Sequence, residues 1–306
     1  MIRHSKYNQV DSAIIYGFAV LSVLILSNIQ RPVVHVLEKK LVTSEVKEVP
    51  ELFSSSSFDG IDVRAKSYVV YDIVDKKIIS EKNSSDVLPV ASITKVMTAL
   101  TARIHNDKTK NITIGQSSID GAYDLGLKKG QIFNLDELLK YTLVFSSNDG
   151  AQAIADGLGG RNFFISQMNT DATTLGLDLH FTSPAGLDEN GKIGGEGSAL
   201  SIAKLTALAR REFPEVFEAT TRRRTNVTAN TGRIIGIPNT NQNVNKFPGI
   251  EMSKTGYTDI AGGNLVIVVD ILIGHPVAIV VLGSTLTERF TDVEILYKAL
   301  LSSVSK

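Results

Sequence analysis

The apolar positions of this chain change their period along its length, and each change predicts a different kind of structure. From residue 12 to residue 30 no side chain is charged. Nineteen residues rising about 1.5 Å each give roughly 28 Å of helix, close to the hydrocarbon thickness of a bilayer, so this stretch predicts a membrane-spanning helix. A cleaved signal peptide is the competing reading, but Leu26-Ser27-Asn28-Ile29 lacks the small-x-small cleavage pattern, which favours an anchor. Residues 38–66 show neither a 2- nor a 3.6-residue period and include Pro50 and Ser54-Ser55-Ser56-Ser57. They predict a flexible spacer, the alternative being a loop packed on the domain that follows.

Residues 67–74 are rich in β-branched and aromatic side chains, Asp75-Lys76-Lys77 turns the chain, and Ile78-Ile79-Ser80 returns it, so a hairpin opens the domain. After Pro89-Val90-Ala91, the residues Ile93, Val96, Met97 and Leu100 recur at helical spacing, which starts a helix at or just beside Ser92. Residues 135–217 are mainly helical by the same criterion, punctuated by Gly and Pro at 157–160 and 183–191. Strands return at residues 251–256, 264–273 and 276–282, and a closing helix follows at 292–304. Strands at both ends with helices between them predict an α+β fold: one sheet built from both termini, an inserted helical lobe, and a cleft between the two. No internal repeat is visible.

Composition narrows the function. Thirty-two basic residues balance 32 acidic ones in 306, so charge gives no reason to expect a nucleic-acid partner. With no cysteine, thiol nucleophiles, disulfides and thiolate metal sites are excluded. The five histidines are isolated, which argues against a zinc site or a Ser-His-Asp triad, and no cofactor is expected. Arg3 and Lys6 precede the apolar segment while Arg31, Lys39, Lys40 and Lys47 follow it, so flanking charge does not orient the anchor. A long trailing domain translocates largely regardless of such charge, and its chemistry must decide the side.

That chemistry lies in three motifs taken in order: Ser92-Ile93-Thr94-Lys95, Ser146-Ser147-Asn148 and Lys254-Thr255-Gly256. Ser-x-x-Lys alone is weak, since Ser44 to Lys47, Ser201 to Lys204 and Ser303 to Lys306 also fit. Only Ser92 opens an apolar helix after a strand pair, with Lys95 three residues on along the same face. A serine hydroxyl needs a base, and a lysine can serve when burial or a second cation such as Lys254 favours its neutral form. Ser146 or Asn148 could equally be a helix cap, and Lys254 a solvated strand lysine. On a strand, Lys254 and Gly256 share one face and Thr255 takes the other, with Gly256 open to a close substrate backbone.

The run Leu88-Pro89-Val90-Ala91-Ser92-Ile93-Thr94-Lys95-Val96-Met97-Thr98-Ala99 resembles the nucleophile helix of the serine-type D-alanyl-D-alanine carboxypeptidases, the low-molecular-mass penicillin-binding proteins. The resemblance extends through residues 143–149, Met168-Asn169, residues 175–177 and 182–187, Asn239-Thr240-Asn241 and residues 254–258. It implies a penicillin-binding/β-lactamase-like fold and a carboxypeptidase-like catalytic domain at 66–306. Before that domain come a cytoplasmic N-terminus at 1–11, an anchor or uncleaved signal at 12–30 and a linker at 31–65. The implied catalytic residues are Ser92 as nucleophile, Lys95 as base, Ser146 as proton relay and Asn148 holding the substrate amide. Lys254, Thr255, Gly256, Tyr257 and Arg289 are the implied substrate-binding residues, with the backbone N–H groups of Ser92 and Tyr257 forming the oxyanion hole. The implied partners are a peptidoglycan peptide ending in D-Ala-D-Ala, and β-lactams as covalent inhibitors, with the domain on the extracytoplasmic side of the cell membrane.

Three features depart from the family pattern. Gly150 stands where the family usually has Ala, Ser198-Ala199-Leu200 replaces a Ser-Thr-Ala run, and no second β-rich domain follows. An endopeptidase cutting cross-links would use the same residues, so the motifs leave that alternative open. A class A β-lactamase would need a deacylating glutamate, and no Glu-x-x-Leu-Asn pattern lies between Asn148 and Lys254. A non-catalytic wall-binding protein is the remaining alternative.

Overall fold

In the computed structural model, which describes residues 52–119 and 126–304, the predicted hairpin is strands β1 (Ser67–Asp72) and β2 (Lys77–Lys82). Strand β3 (Val87–Pro89) leads through a 3-10 turn, Ala91–Ile93, directly into helix α1 (Thr94–His105). The short pair β4 (Asn111–Thr113) and β5 (Ile132–Asn134) precedes α2 (Leu135–Val144), α3 (Asn148–Gly157) and α4 (Arg161–Thr174). Then come β6 (Leu179–Phe181), β7 (Gly195–Ser198), α5 (Ala199–Glu212) and the single turn α6 (Pro214–Phe217). A second hairpin, β8 (Arg224–Thr228) and β9 (Ile234–Pro238), is followed by β10 (Ile250–Thr258), β11 (Gly262–Asp270), β12 (Pro276–Ser284) and helix α7 (Glu288–Ser303).

The main sheet is antiparallel throughout, in the order β10-β11-β12-β1-β2, so the two ends of the domain meet in one sheet as the pattern predicts. Its central strands carry unbroken apolar runs, residues 265–269 of β11 and 277–282 of β12, because both faces are covered. Leu265, Ile267 and Val269 of β11 face a core closed by Leu296 and Leu300 of α7. Val266 and Val268 face the opposite core, shared with Val96 and Leu100 of α1 and Ile202 of α5. A two-residue side-chain period on a sheet buried twice produces this unbroken run. The second core continues into the helical lobe through Leu138, Leu139 and Ile154.

Residues 52–65 correct the spacer expectation. Ser55–Phe58 is a 3-10 turn, and Phe53, Phe58, Val63 and Ala65 are buried in the core under α7. Asp292 of α7 holds this entry in place, accepting the N–H groups of Arg64 and Ala65, each at 3.0 Å, and the Ser284 hydroxyl at 2.6 Å. The packed unit therefore begins at Glu51 rather than at residue 66. The strands β6 and β7 are additions to the stretch 135–217 that periodicity reads as helical, and the pairs β4–β5 and β8–β9 lie on either side of it, where no element is predicted. The anchor predicted at 12–30 lies outside the described residues, and among the described residues no helix is long and apolar enough to cross a membrane.

Candidate active site

Ser92 sits in the middle of the Ala91–Ile93 turn rather than within the helix, half-buried and one residue after Ala91, whose φ is +48°. A left-handed conformation is costly for a residue with a Cβ and persists only where surroundings impose it. Gly186 supplies part of that constraint, because a Cβ there would collide with the Ala91 carbonyl. Lys95, in the first turn of α1, is fully buried, and its Nζ donates to Ser92 Oγ at 2.8 Å, Asn148 Oδ1 at 2.8 Å and the Ala185 carbonyl at 2.7 Å. Three acceptors thus aim the amine at the hydroxyl.

The second motif divides its labour between adjacent residues. Ser147, and neither Ser146 nor Asn148, caps α3, accepting the Gly150 N–H at 2.7 Å. This leaves Ser146 and Asn148 free of that structural duty and half-buried at the cleft. Ser146 is also left-handed, with φ +61°, and its Oγ accepts from Lys254 Nζ at 2.7 Å. The departure at Gly150 has a local cause: a Cβ there would run into Thr142 Oγ1 and Ser147 Oγ.

Lys254 is no solvated strand lysine, being 1% exposed. Burial, with the cations of Lys95 and Arg289 nearby, pushes it well below the ordinary lysine value. Its Nζ also donates to the Thr255 carbonyl at 2.7 Å. Thr255 hydrogen-bonds through Oγ1 with Thr240 Oγ1 at 2.7 Å. Gly256 corrects one expectation, since the backbone it admits is the chain's own: a Cβ would lie 2.7 Å from the Val90 carbonyl and 3.3 Å from the Ile93 nitrogen. Glycine here lets β10 pack directly on the turn that carries Ser92. Tyr257, the next residue, has an exposed side chain and a backbone paired with Gly263.

Arg289, in the first turn of α7, is buried behind β10, donates Nη1 to the Gly256 carbonyl at 2.6 Å and stacks on Phe290. Burial lowers it to about 10, which leaves it cationic at neutral pH. Its contact is with the strand, so it stiffens β10 in addition to adding positive charge to this end of the site.

Three groups at the site are absent from the sequence-derived set. The Ala185 carbonyl is backbone and has no side-chain signature. Thr240 is separated from Thr255 by a turn and strand. Asn264 binds the Pro89 carbonyl at 3.1 Å and the Gly283 N–H at 2.8 Å, tying β3 to β11 and β12. Of the competing Ser-x-x-Lys matches, Ser201 is buried at the start of α5, accepting the Asp178 N–H, while Lys204 is exposed. The two never meet a common cleft. Chemically, the assembled site offers an accessible hydroxyl bonded to a buried amine, a second hydroxyl bonded to a second buried amine, and an amide between them.

The sequence model of the D-alanyl-D-alanine carboxypeptidase family matches residues 53–285. The D-alanyl-D-alanine carboxypeptidase DacF of Bacillus subtilis (strain 168) is 31% identical over 202 residues, which are 63% of this chain and 51% of that protein. The chain therefore spans about half the length of that relative. A D-alanyl-D-alanine endopeptidase of Escherichia coli (strain K12) is 30% identical over 231 residues, 73% of this chain and 72% of its own. Among solved structures, penicillin-binding protein D2 from Listeria monocytogenes in its cefotaxime-bound form superposes with a TM-score of 0.68 at 26% identity, covering 78% of this chain and 98% of that one.

Proposed function

The chain belongs to the D-alanyl-D-alanine carboxypeptidase family, and from that premise we propose that it removes the terminal D-alanine of peptidoglycan stem peptides through an acyl-enzyme on Ser92. The observation that carries this reading is the double amine–hydroxyl pairing, Lys95 Nζ at 2.8 Å from Ser92 Oγ and Lys254 Nζ at 2.7 Å from Ser146 Oγ. In its neutral form Lys95 keeps two N–H donations, to Asn148 Oδ1 and the Ala185 carbonyl, and turns its lone pair to the Ser92 hydroxyl, taking that proton as Oγ attacks the penultimate carbonyl. The backbone N–H groups of Ser92 and Tyr257 receive the developing oxyanion, a role in which one donor is worth about 3 kcal/mol. As the C–N bond breaks, Ser146 passes its proton to the leaving D-alanine amine and is reprotonated with the proton Lys95 took from Ser92, so both groups regain their starting states. In the second half-reaction Lys95 takes a proton from the water that attacks the ester carbonyl and gives it to Ser92 Oγ as the ester C–O bond breaks, releasing the shortened peptide. Lys254 and Arg289 supply positive charge at the end of the site that attracts the substrate's terminal carboxylate, and Thr255 adds a hydroxyl there.

β-Lactams fit this scheme as acylating agents that leave slowly. Glu189, the nearest approach to a deacylating glutamate in the sequence, is paired with Arg161 at 2.8 Å. Mass spectrometry after incubation with penicillin tests the reading: an adduct on the Ser92 peptide is expected, and an unmodified protein would sink it. A second reading, an endopeptidase cutting cross-linked peptides, is favoured by the longer match to the Escherichia coli relative. Product analysis on a pentapeptide and on a cross-linked dimer separates the two. We further propose that residues 12–30 anchor the chain in the cell membrane, with the catalytic domain on the extracytoplasmic side where its substrate is.

A further inference from the structure

At the end of the main sheet away from Ser92, two neighbouring turns present apolar side chains. Val74, in the β1–β2 turn, is 49% exposed, and Ile273, in the β11–β12 turn, is fully exposed. Turns ordinarily carry Gly, Pro, Asn, Asp or Ser. Ile271 and Leu272 of the second turn pack back on the core under α7, and Ile273 is left in solvent.

Hydrogen bonds join the two turns into one platform. Asp72 Oδ1 accepts the N–H groups of Val74 and Asp75, each at 2.9 Å, and Asp72 Oδ2 pairs with His275 Nε2 at 2.8 Å. Asp270 accepts the N–H groups of Gly274 and His275 at 2.8 and 2.9 Å. With both turns already fixed, presenting their tips to a partner costs little conformational entropy.

Positive charge surrounds the tips. A groove of about 490 Å³ between these turns and α5 is lined by the apolar Ile73, Leu208 and Pro276 and by Lys76, Lys204 and Arg211. Lys76, its neighbour Lys77 and Lys204 are exposed, and the lysine ion pairs among the described residues involve only Lys140 and Lys246. Arg211 is paired with Glu212, and the exposed carboxylate of Asp75 offsets one of the lysines. The chain also joins the domain here, the Phe53 ring packing edge-on against His275 with centroids 5.5 Å apart.

We propose that this end of the sheet rests on an anionic phospholipid surface, with Val74 and Ile273 dipping toward the acyl chains and Lys76, Lys77 and Lys204 among the lipid phosphates. The inference rests on the membrane placement proposed above and adds an orientation to it. Apolar tips ringed by cations suit such a surface, where each cation strengthens binding about fivefold. Asn264 pairs with Gly256, which packs on the Ser92 turn, and from Asn264 to Ile273 the strand climbs roughly 30 Å at about 3.3 Å per residue. The nucleophile is thereby held about that far above the lipid. The rival face is the β8–β9 hairpin, where Arg222-Arg223-Arg224 and the exposed Ile234 lie, although Arg222 is already paired with Glu218 at 2.7 Å.

Because the chain has no cysteine, Ile273→Cys, Ile234→Cys and Ile260→Cys each give the full chain one site for an environment-sensitive fluorophore. Ile260 lies in the β10–β11 turn, at the opposite end of the sheet. In nanodiscs containing phosphatidylglycerol and lipids brominated on their acyl chains, the probe at 273 should be quenched at least about threefold more than at 234 or 260. Lys76→Glu, Lys77→Glu and Lys204→Glu together should remove most of that difference, as should discs of phosphatidylcholine alone. A penicillin adduct on Ser92 verifies that each labelled chain is folded. Equal quenching at the three positions, strongest quenching at 234, or quenching at 273 unmoved by the charge reversals would overturn the inference, while a chain that stays in the discs leaves the anchor standing. A chain that does not enter the discs overturns both.

Discussion

Lys254 pays for its position in electrostatics. Burial first, then the charges of Lys95 and Arg289, hold it well below the ordinary lysine value. A base with a lowered folded-state value takes up its proton more readily when unfolded, so its protonation opposes folding. That opposition is present below the folded value and eases as pH rises toward the unfolded value near 10.5. Replacing Lys254 by Met removes this dependence, so the melting temperature of the wild type relative to Lys254→Met should climb as pH is raised toward about 10.5. Thermal melts across that range decide it, and a difference that falls with pH would refute the assignment. The same variant should acylate far more slowly with a fluorescent penicillin. Ser92→Ala should form no adduct while melting cooperatively near the wild-type temperature. The Ser92–Lys95 pairing was legible in the sequence because a three-residue step on a helix brings two side chains together. The burial of Lys254 was not, because it depends on the turn and helices that close over β10.

At the level of elements, two glycines show how closely strand, turn and helix are fitted. Gly256 lets β10 rest on the Val90 carbonyl and the Ile93 nitrogen. Gly256→Ala should displace the Ser92 turn, and a shift of that kind costs roughly 100-fold in acylation rate even though no reacting atom is removed. Stopped-flow acylation with a chromogenic β-lactam checks this. Gly150 faces Thr142 Oγ1, which itself donates to the Leu138 carbonyl at 2.7 Å. Gly150→Ala alone should cost about 1–3 kcal/mol by overpacking. Thr142→Ala in the same chain should recover at least about 1 kcal/mol of it, a non-additivity readable in a denaturant double-mutant cycle. Periodicity located β1, β2, α1 and the closing strands to within a few residues. It missed β4 through β9 because three- to five-residue strands with polar faces carry almost no period of their own.

Across the whole molecule, Asp292 joins the two ends of the domain by accepting two backbone N–H groups from residues 64 and 65 and the hydroxyl of Ser284. Asp292→Ala leaves two buried donors and one part-buried donor unpaired and should lower stability by at least about 2 kcal/mol, measured by denaturant unfolding, with acylation retained below the new midpoint.

The switch from period 2 to period 3.6 and back sufficed to predict the α+β arrangement, and the order and spacing of the three motifs to nominate Ser92, Lys95, Ser146, Asn148 and Lys254, which the fold brings together. These are local properties, fixed by which side chains share a helix face or a strand face. Tertiary packing alone decided that Ser92 and Lys95 meet at a cleft while Ser201 and Lys204 do not, that Ser147 rather than its neighbours caps α3, and that Gly256 accommodates the nucleophile's own turn. It also decided that residues 52–65 close the core and that two apolar turns meet through Asp72 and His275. Each of these depends on contacts between segments far apart in the chain, which no local period encodes.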